Sequence, residues 1–161
     1  MEGFMLLRAG KIFTALAFVF TLAAGAASAG DGNGVVKVKS AYSIEETVAR
    51  VKQDVATKGI PFLAEIDQSG LAAAAGIGLQ PSRLLIFGNP PLGAQFLTSN
   101  PDAGLDWPVR LLVRQDEDGS VWLAYSDFAW IADRYAIRDR QAQFEMAASV
   151  IGSVTSSVAS K

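Results

Sequence analysis

The stretch that decides the fold is residues 109–125, which read VRLLVRQDEDGSVWLAY. On both sides of an acidic turn, apolar residues alternate with others, a pattern typical of β-strands. The turn, residues 116–119, ends in Gly119, and glycine adopts the positive φ of a tight hairpin without strain. The sequence therefore predicts two antiparallel strands joined by a hairpin.

Two long amphipathic helices are predicted outside this hairpin. Ser43 and Glu46 form a capping box at the start of the first helix, and Gly59 suits its end. Asp139 is placed to cap the last helix. In both helices the apolar residues recur every three or four positions, so each has one face to bury. These positions are Ile44, Val48, Val51 and Val55, then Phe144, Ala147, Ile151, Val154 and Val158.

Shorter elements fill the rest of the chain. Strands are predicted over 35–39, 60–67 and 82–87, the last as a central strand buried on both faces. In the strand 60–67, Ile60, Phe62, Ala64 and Ile66 are expected to share a face. Short helices are predicted over 71–75, after Asn89, and over 128–134. The prediction is an α+β fold, with a single layer of mainly antiparallel sheet and the two long amphipathic helices packed on one face.

The first 29 residues have the pattern of a signal peptide. Arg8 and Lys11 precede an uncharged apolar run over 12–24, and small residues at 27–29 suit cleavage after Ala29. A retained anchor is the alternative, but the run is shorter than the ~20 apolar residues that span a bilayer. Cleavage predicts a periplasmic or secreted protein with no stable membrane anchor. The predicted division is a signal peptide over 1–29, a flexible segment over 30–34, one domain over 35–154 and a frayed tail over 155–161.

The composition excludes several chemistries. The chain of 161 residues contains no Cys and no His, so it has no disulfide, no thiol nucleophile, no lipid-anchored cysteine and no imidazole base or ligand. Its formal net charge is −2 with no basic cluster, which argues against nucleic-acid binding. The acidic turn 116–119 lacks the spacing of a calcium-binding loop. No metal or cofactor is predicted.

Four residues are candidates for ligand binding: Asp67, Asn89, Asp106 and Tyr125. Asp67 and Asn89 suit helix caps better than ligand contacts. Asp106 is balanced between a ligand contact and a turn-forming residue. Tyr125 could form an acid–base pair with Asp127, but a core tyrosine beside a solvated carboxylate is favoured.

The second face of the predicted hairpin also carries apolar side chains. Trp122 is expected to point to the other face of its strand from Val121 and Leu123, and Leu112 is expected on the same face as Trp122. An apolar face must be covered by a helix, a second subunit or a ligand. Core packing is favoured, and a homodimer interface is the alternative.

The middle of the chain resembles a bacterial family, domain of unknown function 302. The resemblance is carried by Ile66-Asp67, by residues 78–81 reading GLQP, by residues 84–90 reading LLIFGNP, by Asn100-Pro101, by residues 105–108 reading LDWP, and by Gly119 and Tyr125. It covers roughly residues 42–135. It implies a small α+β domain with a curved antiparallel sheet, helices on one side and frequent homodimers, but no established reaction.

Two positions depart from the family pattern. Many members carry a His directly after the Ile-Asp pair, where this chain has Gln68, and another where it has Tyr135. Any metal binding or proton transfer by those histidines is therefore not available to this chain in the same way.

Two functional hypotheses follow. The first is an exported, non-catalytic, homodimeric domain that binds a small apolar ligand or an envelope protein partner. The second is a small carboxylate-dependent hydrolase or isomerase that uses Asp67, Asp106 or Asp127 with Tyr125. A structural or stress protein of the envelope with no defined ligand is a weaker third hypothesis.

Overall fold

The computed structural model describes residues 32–160, so the predicted signal peptide lies outside the described residues. The strands are β1 (Val35–Lys39), β2 (Phe62–Asp67), β3 (Ser82–Phe87), β4 (Val109–Gln115) and β5 (Val121–Ser126). The helices are α1 (Ile44–Thr57), α2 (Gln68–Ala74), α3 (Pro90–Ser99), α4 (Phe128–Arg134) and α5 (Gln141–Ser156), with a 3-10 helix over Pro101–Leu105.

The five strands form one antiparallel sheet in the order β1-β5-β4-β3-β2. The predicted hairpin joins β4 to β5, with Leu112 opposite Ala124 and Val113 opposite Leu123. Gly119 in its turn has a φ of +82°. The α+β class predicted from the sequence is confirmed.

One face of the sheet, here called the covered face, forms the core with the helices. The strand residues Leu85, Leu111 and Leu123 are fully buried there. Val51 of α1 and Val154 of α5 are fully buried in the same cluster, so both long helices pack on this face as predicted. Burial of apolar area stabilises by about 25 cal/mol per Å², which makes this layer the main source of stability.

The predicted ends of α1 are confirmed, but only half of the capping box forms. The Ser43 hydroxyl accepts a hydrogen bond from the Glu46 N–H at 3.2 Å, and Gly59 after the helix has a φ of +65°. The Glu46 carboxylate instead binds the Arg50 guanidinium at 2.8 Å, one helical turn on. The ion pair and the capping contact compete for the same carboxylate, and the ion pair is formed.

The opposite face, here called the open face, is not part of the core. Its strand residues are Val35, Lys37, Lys39, Ala64, Ile66, Ser82, Leu84, Ile86, Arg110, Leu112, Arg114, Trp122, Ala124 and Ser126. Leu84, Leu112 and Trp122 stay partly exposed and lie outside the core cluster. Burial of β3 on both faces and core packing of Trp122 and Leu112 are therefore wrong predictions, because all the long helices lie on the other side.

The predicted alternation of β2 is also wrong at its start. An irregularity between Phe62 and Ala64 shifts the register, so that Phe62 pairs with Phe87 and Ala64 with Ile86. Directly opposed residues share a face. Phe62 therefore joins the covered face, whereas Ala64 and Ile66 lie on the open face.

The C-terminal tail is docked rather than frayed. Val158 is fully buried, and the Ser160 N–H donates to the Lys39 carbonyl at 2.9 Å. The tail thereby contacts the edge strand β1, which pairs with only one other strand. Asp139 does not cap α5; its carboxylate accepts from the Ser99 hydroxyl at 2.6 Å, and Arg140 holds the cap position without a side-chain hydrogen bond.

Candidate functional site

A groove with a volume of about 420 Å³ opens on the covered side of the sheet. It lies where β3 ends and β4 begins, and α5 forms one wall. The apolar lining consists of Ile60, Phe87, Leu92, Trp107, Val109, Phe128, Met146, Ala147, Val150 and Ile151. Apolar concave sites of about 300–1,000 Å³ with a few polar groups are typical of small-molecule binding.

Two glycines make room for the indole of Trp107 in this groove. A Cβ added at Gly93 would overlap the indole, and one at Gly88 would lie 2.8 Å from its Cζ2 atom. On its other side the indole meets the Phe96 ring edge-on, with the ring centres 5.9 Å apart. The position of Trp107 therefore depends on the absence of side chains at two positions in the IFGNP segment and α3.

Polar groups in the lining are few. They are Lys58, Asn89, Ser149 and Ser153. The Lys58 ammonium lies 2.6 Å from a carboxylate oxygen of Asp54, one helical turn earlier in α1. Asn89 caps α3 through its Oδ1 atom, which accepts from the Leu92 N–H at 3.1 Å. The predicted capping role is confirmed, and the same residue borders the groove.

Asp106 is the buried centre of a half-exposed ion-pair cluster beside the groove. Its side chain is 6% exposed and lies 2.7 Å from Arg110 and 3.3 Å from Arg134. The Tyr135 hydroxyl donates to its Oδ2 atom at 2.6 Å. Both carboxylate oxygens therefore have partners. The hydrogen bond to this carboxylate, followed by burial, raises the pKa of the Tyr135 phenol.

Tyr125 lies on the covered face, opposite Val36 and near Leu111 across the hairpin. Burial raises the pKa of Tyr125, and its hydrogen bond with Thr155 opposes part of that shift. A narrow cleft lined by Tyr125 and Asp106 adjoins the groove, with Val109 and Phe128 lining both. Two candidates from the sequence thus share one cleft.

Asp67 lies at the other end of β3. Its Oδ1 atom accepts from the Gly70 N–H at 2.7 Å and from the Ser69 hydroxyl at 2.8 Å, and it pairs with Arg83. These contacts, the Gly70 N–H first, lower the pKa of Asp67. It caps α2, as the sequence favours. Asp127 likewise caps α4 by accepting from the Trp130 N–H at 3.0 Å.

The three candidate carboxylates therefore do not converge. Asp67 and Asp106 lie at opposite ends of the sheet, since β3 starts beside one and ends near the other. Asp106 is saturated by three donors, and Asp127 is held in a helix cap. The arrangement does not favour a carboxylate-dependent enzyme, which needs two such groups in one concave site.

The two positions that depart from the family pattern are also far apart. The Gln68 Oε1 atom accepts from the Ser82 hydroxyl at 2.8 Å, at the start of β3. Tyr135 binds Asp106, near the other end of that strand. In this chain the two side chains serve separate local contacts.

The groove is not predicted by the sequence patterns. A signal was present in α5, where Met146 and Val150 lie beside the buried stripe and widen its apolar surface; Met146 is 59% exposed. Within residues 32–160, no group of three or more acidic side chains is placed to hold a metal ion. In that same part of the chain, no helix is long and apolar enough to cross a bilayer.

Part of the chain is similar in sequence to curated bacterial proteins. The chain is 38% identical over 105 residues to fluoride-specific ion channel FluC 1 of Brucella suis biovar 1 (strain 1330), covering 65% of this chain and 41% of that protein. The same identity and span relate it to FluC 2 of Brucella melitensis biotype 1, with 39% of that protein covered. The chain thus spans about two fifths of the length of these curated relatives.

A solved structure shares the fold. The crystal structure of an uncharacterized conserved DUF302 protein from Bacillus stearothermophilus superposes with a TM-score of 0.71 and 16% identity. The match covers 78% of this chain and 98% of that one. The sequence profile of the family described as "Domain of unknown function DUF302" matches residues 36–154. This chain therefore belongs to the DUF302 family.

Proposed function

We propose that this protein is an exported, non-catalytic domain that binds a small apolar or amphipathic molecule in the groove beside Trp107. The observation that carries the proposal is the groove itself, which has a volume of about 420 Å³ and a mostly apolar lining. Exposed apolar area of this kind is typical of ligand sites, because covering it releases water from unfavourable contact.

The local construction of the groove supports a binding role. The close approach of Trp107 to Gly88 and Gly93 orients a large aromatic wall. Met146 is an exposed, unbranched side chain at the margin, of the kind that adapts to ligands of different shape. A preformed wall lowers the entropy cost of binding.

Fluorescence of Trp107 tests the proposal directly. The chain has three tryptophans, so replacing Trp122 and Trp130 by Phe leaves Trp107 as the sole indole. Titration with decanol should shift its emission in a saturable manner. Val150→Phe should block the groove and weaken binding, whereas Leu71→Phe, at an exposed site outside the groove, should not. Lack of saturation, or equal binding by all variants, would overturn the proposal.

We also propose that a second copy of the chain covers the open face. Leu84, Ile86 and Leu112 form a partly exposed apolar patch there, and Trp122 is the type of residue enriched in interfaces. Analytical ultracentrifugation should find a dimer. Leu112→Glu should dissociate it, and Leu71→Glu, on an exposed helix residue, should not. A monomer at high concentration would contradict this arrangement.

Export is supported by the N-terminal sequence. Cleavage after Ala29 would release a domain that starts at Gly30, in the periplasm or outside the cell. Terminal sequencing of the protein recovered from envelope fractions tests this. A chain that retains residues 1–29 would support the anchored alternative instead.

The similarity to fluoride-specific channels favours a second candidate, in which this domain acts beside a membrane channel as its protein partner. Deleting the gene should then lower the fluoride concentration that stops growth, while chloride at the same concentration has no effect. Restoring the wild-type gene should restore tolerance. Unchanged fluoride sensitivity would exclude this candidate and leave ligand binding in the groove unaffected.

A further inference from the structure

We infer that the ligand of the groove is an amphipathic anion, with its apolar part against Trp107 and an acceptor-rich head group, such as a carboxylate, at Lys58. This inference rests on the proposed binding function and adds the chemical class of the ligand. It is carried by the charge and hydrogen-bonding character of the groove's polar residues.

The charge at the groove is of one sign. Among residues 32–160, Lys58 is the only charged residue in the lining and no acidic residue lines the groove, although the chain as a whole has a net charge of −2. The Lys58 side chain is 30% exposed, so its charge is less screened than that of a fully solvated lysine. A ligand with an anionic end would complement this site, and a cationic one would meet repulsion.

The remaining polar side chains of the lining can donate hydrogen bonds. Within residues 32–160, the hydroxyls of Ser149 and Ser153 take part in no hydrogen bond, and the amide nitrogen of Asn89 likewise has no acceptor. The Asn89 oxygen is already committed to the cap of α3. These two hydroxyls and the amide nitrogen can donate hydrogen bonds to a carboxylate-like head group placed beside Lys58.

The carboxylate of Asp54 competes with a bound anion for the Lys58 ammonium. Asp54 holds the Lys58 ammonium through both of its carboxylate oxygens at 2.6 Å, and its own side chain is 23% exposed. A bound anion must share the ammonium with Asp54. Removing the charge of Asp54 should therefore strengthen anion binding, and removing that of Lys58 should weaken it.

The test is calorimetric titration of the protein that lacks residues 1–29 with three probes of equal chain length: decanoate, decanol and decylamine. Decanoate should bind about fivefold more tightly than decanol, as expected for one partly exposed ion pair, and decylamine most weakly. Lys58→Gln should bring the ratio of decanoate to decanol affinity down to about one, because the ion pair to the carboxylate is lost. Asp54→Asn should increase the affinity for decanoate alone.

Matched controls lie on the same helix. Lys52→Gln removes a lysine whose ammonium pairs with Glu65 outside the groove, and Glu46→Gln removes a carboxylate paired with Arg50. Neither should alter the ratio of decanoate to decanol affinity. Thermal melting of each variant checks that it is folded.

The outcomes separate the two levels of the proposal. Equal affinity for decanoate and decanol, or a preference for decylamine, would overturn the anionic ligand class but leave the groove as a binding site. Failure of all three probes to bind the folded protein would overturn the proposed function itself. An unchanged preference in Lys58→Gln would overturn the role of Lys58.

Discussion

The covered face of the sheet contains more large apolar residues than the open face, and it buries them more completely. Leu111 and Val113 on the covered face are fully buried, whereas Leu84, Ile86 and Leu112 on the open face are only partly buried. The charged residues explain the difference. The open face carries Lys37, Lys39, Arg110 and Arg114, in strand positions that also lack any acidic residue. A helix packed over the whole of this face would have to desolvate several cations, which is costly, whereas a second copy of the chain needs to cover only the apolar patch of Leu84, Ile86 and Leu112.

Burial on the covered face ends at the edge strand β2. Glu65 and Asp67 occupy its positions opposite Leu85 and Arg83, and both acidic side chains are exposed there. Charges that point inward on an edge strand disfavour pairing with a further strand from another molecule. Alternating apolar residues thus predict a strand, whereas the distribution of charged residues between its two faces helps to determine which face is buried.

The largest expected effect separates the two faces directly. Leu111→Ala should destabilise the protein by about 2–5 kcal/mol, because it opens a cavity in a filled core. Leu112→Ala, one residue later on the open face, should cost about 1 kcal/mol or less at concentrations where the protein is monomeric. Urea unfolding measures both, and equal losses would break the distinction between the faces.

The next effect concerns the groove on the covered side of the sheet. Gly93→Ala should displace the Trp107 indole and cost about 1–3 kcal/mol, as overpacking does. Gly78→Ala is the control, since a Cβ there meets no atom within 4 Å and the backbone has no positive φ. Thermal unfolding and Trp107 emission are the measurements. Unchanged Trp107 emission in Gly93→Ala would contradict the close contact between the indole and Gly93.

A smaller effect is expected when ion pairs are removed, and the loss of stability should depend on how far the carboxylate is buried. Asp106→Asn should cost about 1–2 kcal/mol, because two arginines and Tyr135 lose a charged acceptor that is 6% exposed. Asp133→Asn removes a pair with Arg138 in which both side chains are 69% exposed, and should have little effect. Similar melting temperatures for the two variants would refute this ordering.

The smallest effect is a pH dependence at the charged edge of the covered face. The pKa of Asp67 is lowered in the folded protein, so its ionised form is stabilised by folding. That stabilisation is present above the unfolded value of about 3.9 and is lost as the pH falls through the lower folded value. Unfolding free energies measured from about pH 5 downward should fall less steeply in Asp67→Asn than in the wild type.

Local elements were predictable because their signals lie close together in the chain. The start of α1 at Ser43, the cap at Asn89 and the hairpin turn at Gly119 each depend on a few neighbouring residues. The errors arose where a distant segment competed. Asp139 binds Ser99 instead of capping α5, and Val158 is buried instead of frayed.

The candidate site was predictable only in part. Asn89 borders the groove, and Asp106 and Tyr125 line the cleft that adjoins it, whereas Asp67 lies at the far end of the sheet. The cluster of Asp106 with Tyr135 joins residues 29 positions apart. No local pattern encodes such a contact, since it depends on how α4 packs beside the start of β4.

By itself, the sequence determined the order and type of the elements, the antiparallel hairpin, the family pattern and the absence of thiol and imidazole chemistry. These follow from local backbone preferences and from composition. Only the tertiary structure decided which sheet face is covered. It also brings the Trp107 indole against Gly88 and Gly93, and it places Lys58 at the border of an apolar groove. Those features depend on packing between segments remote in the chain, where volume and charge must be satisfied together.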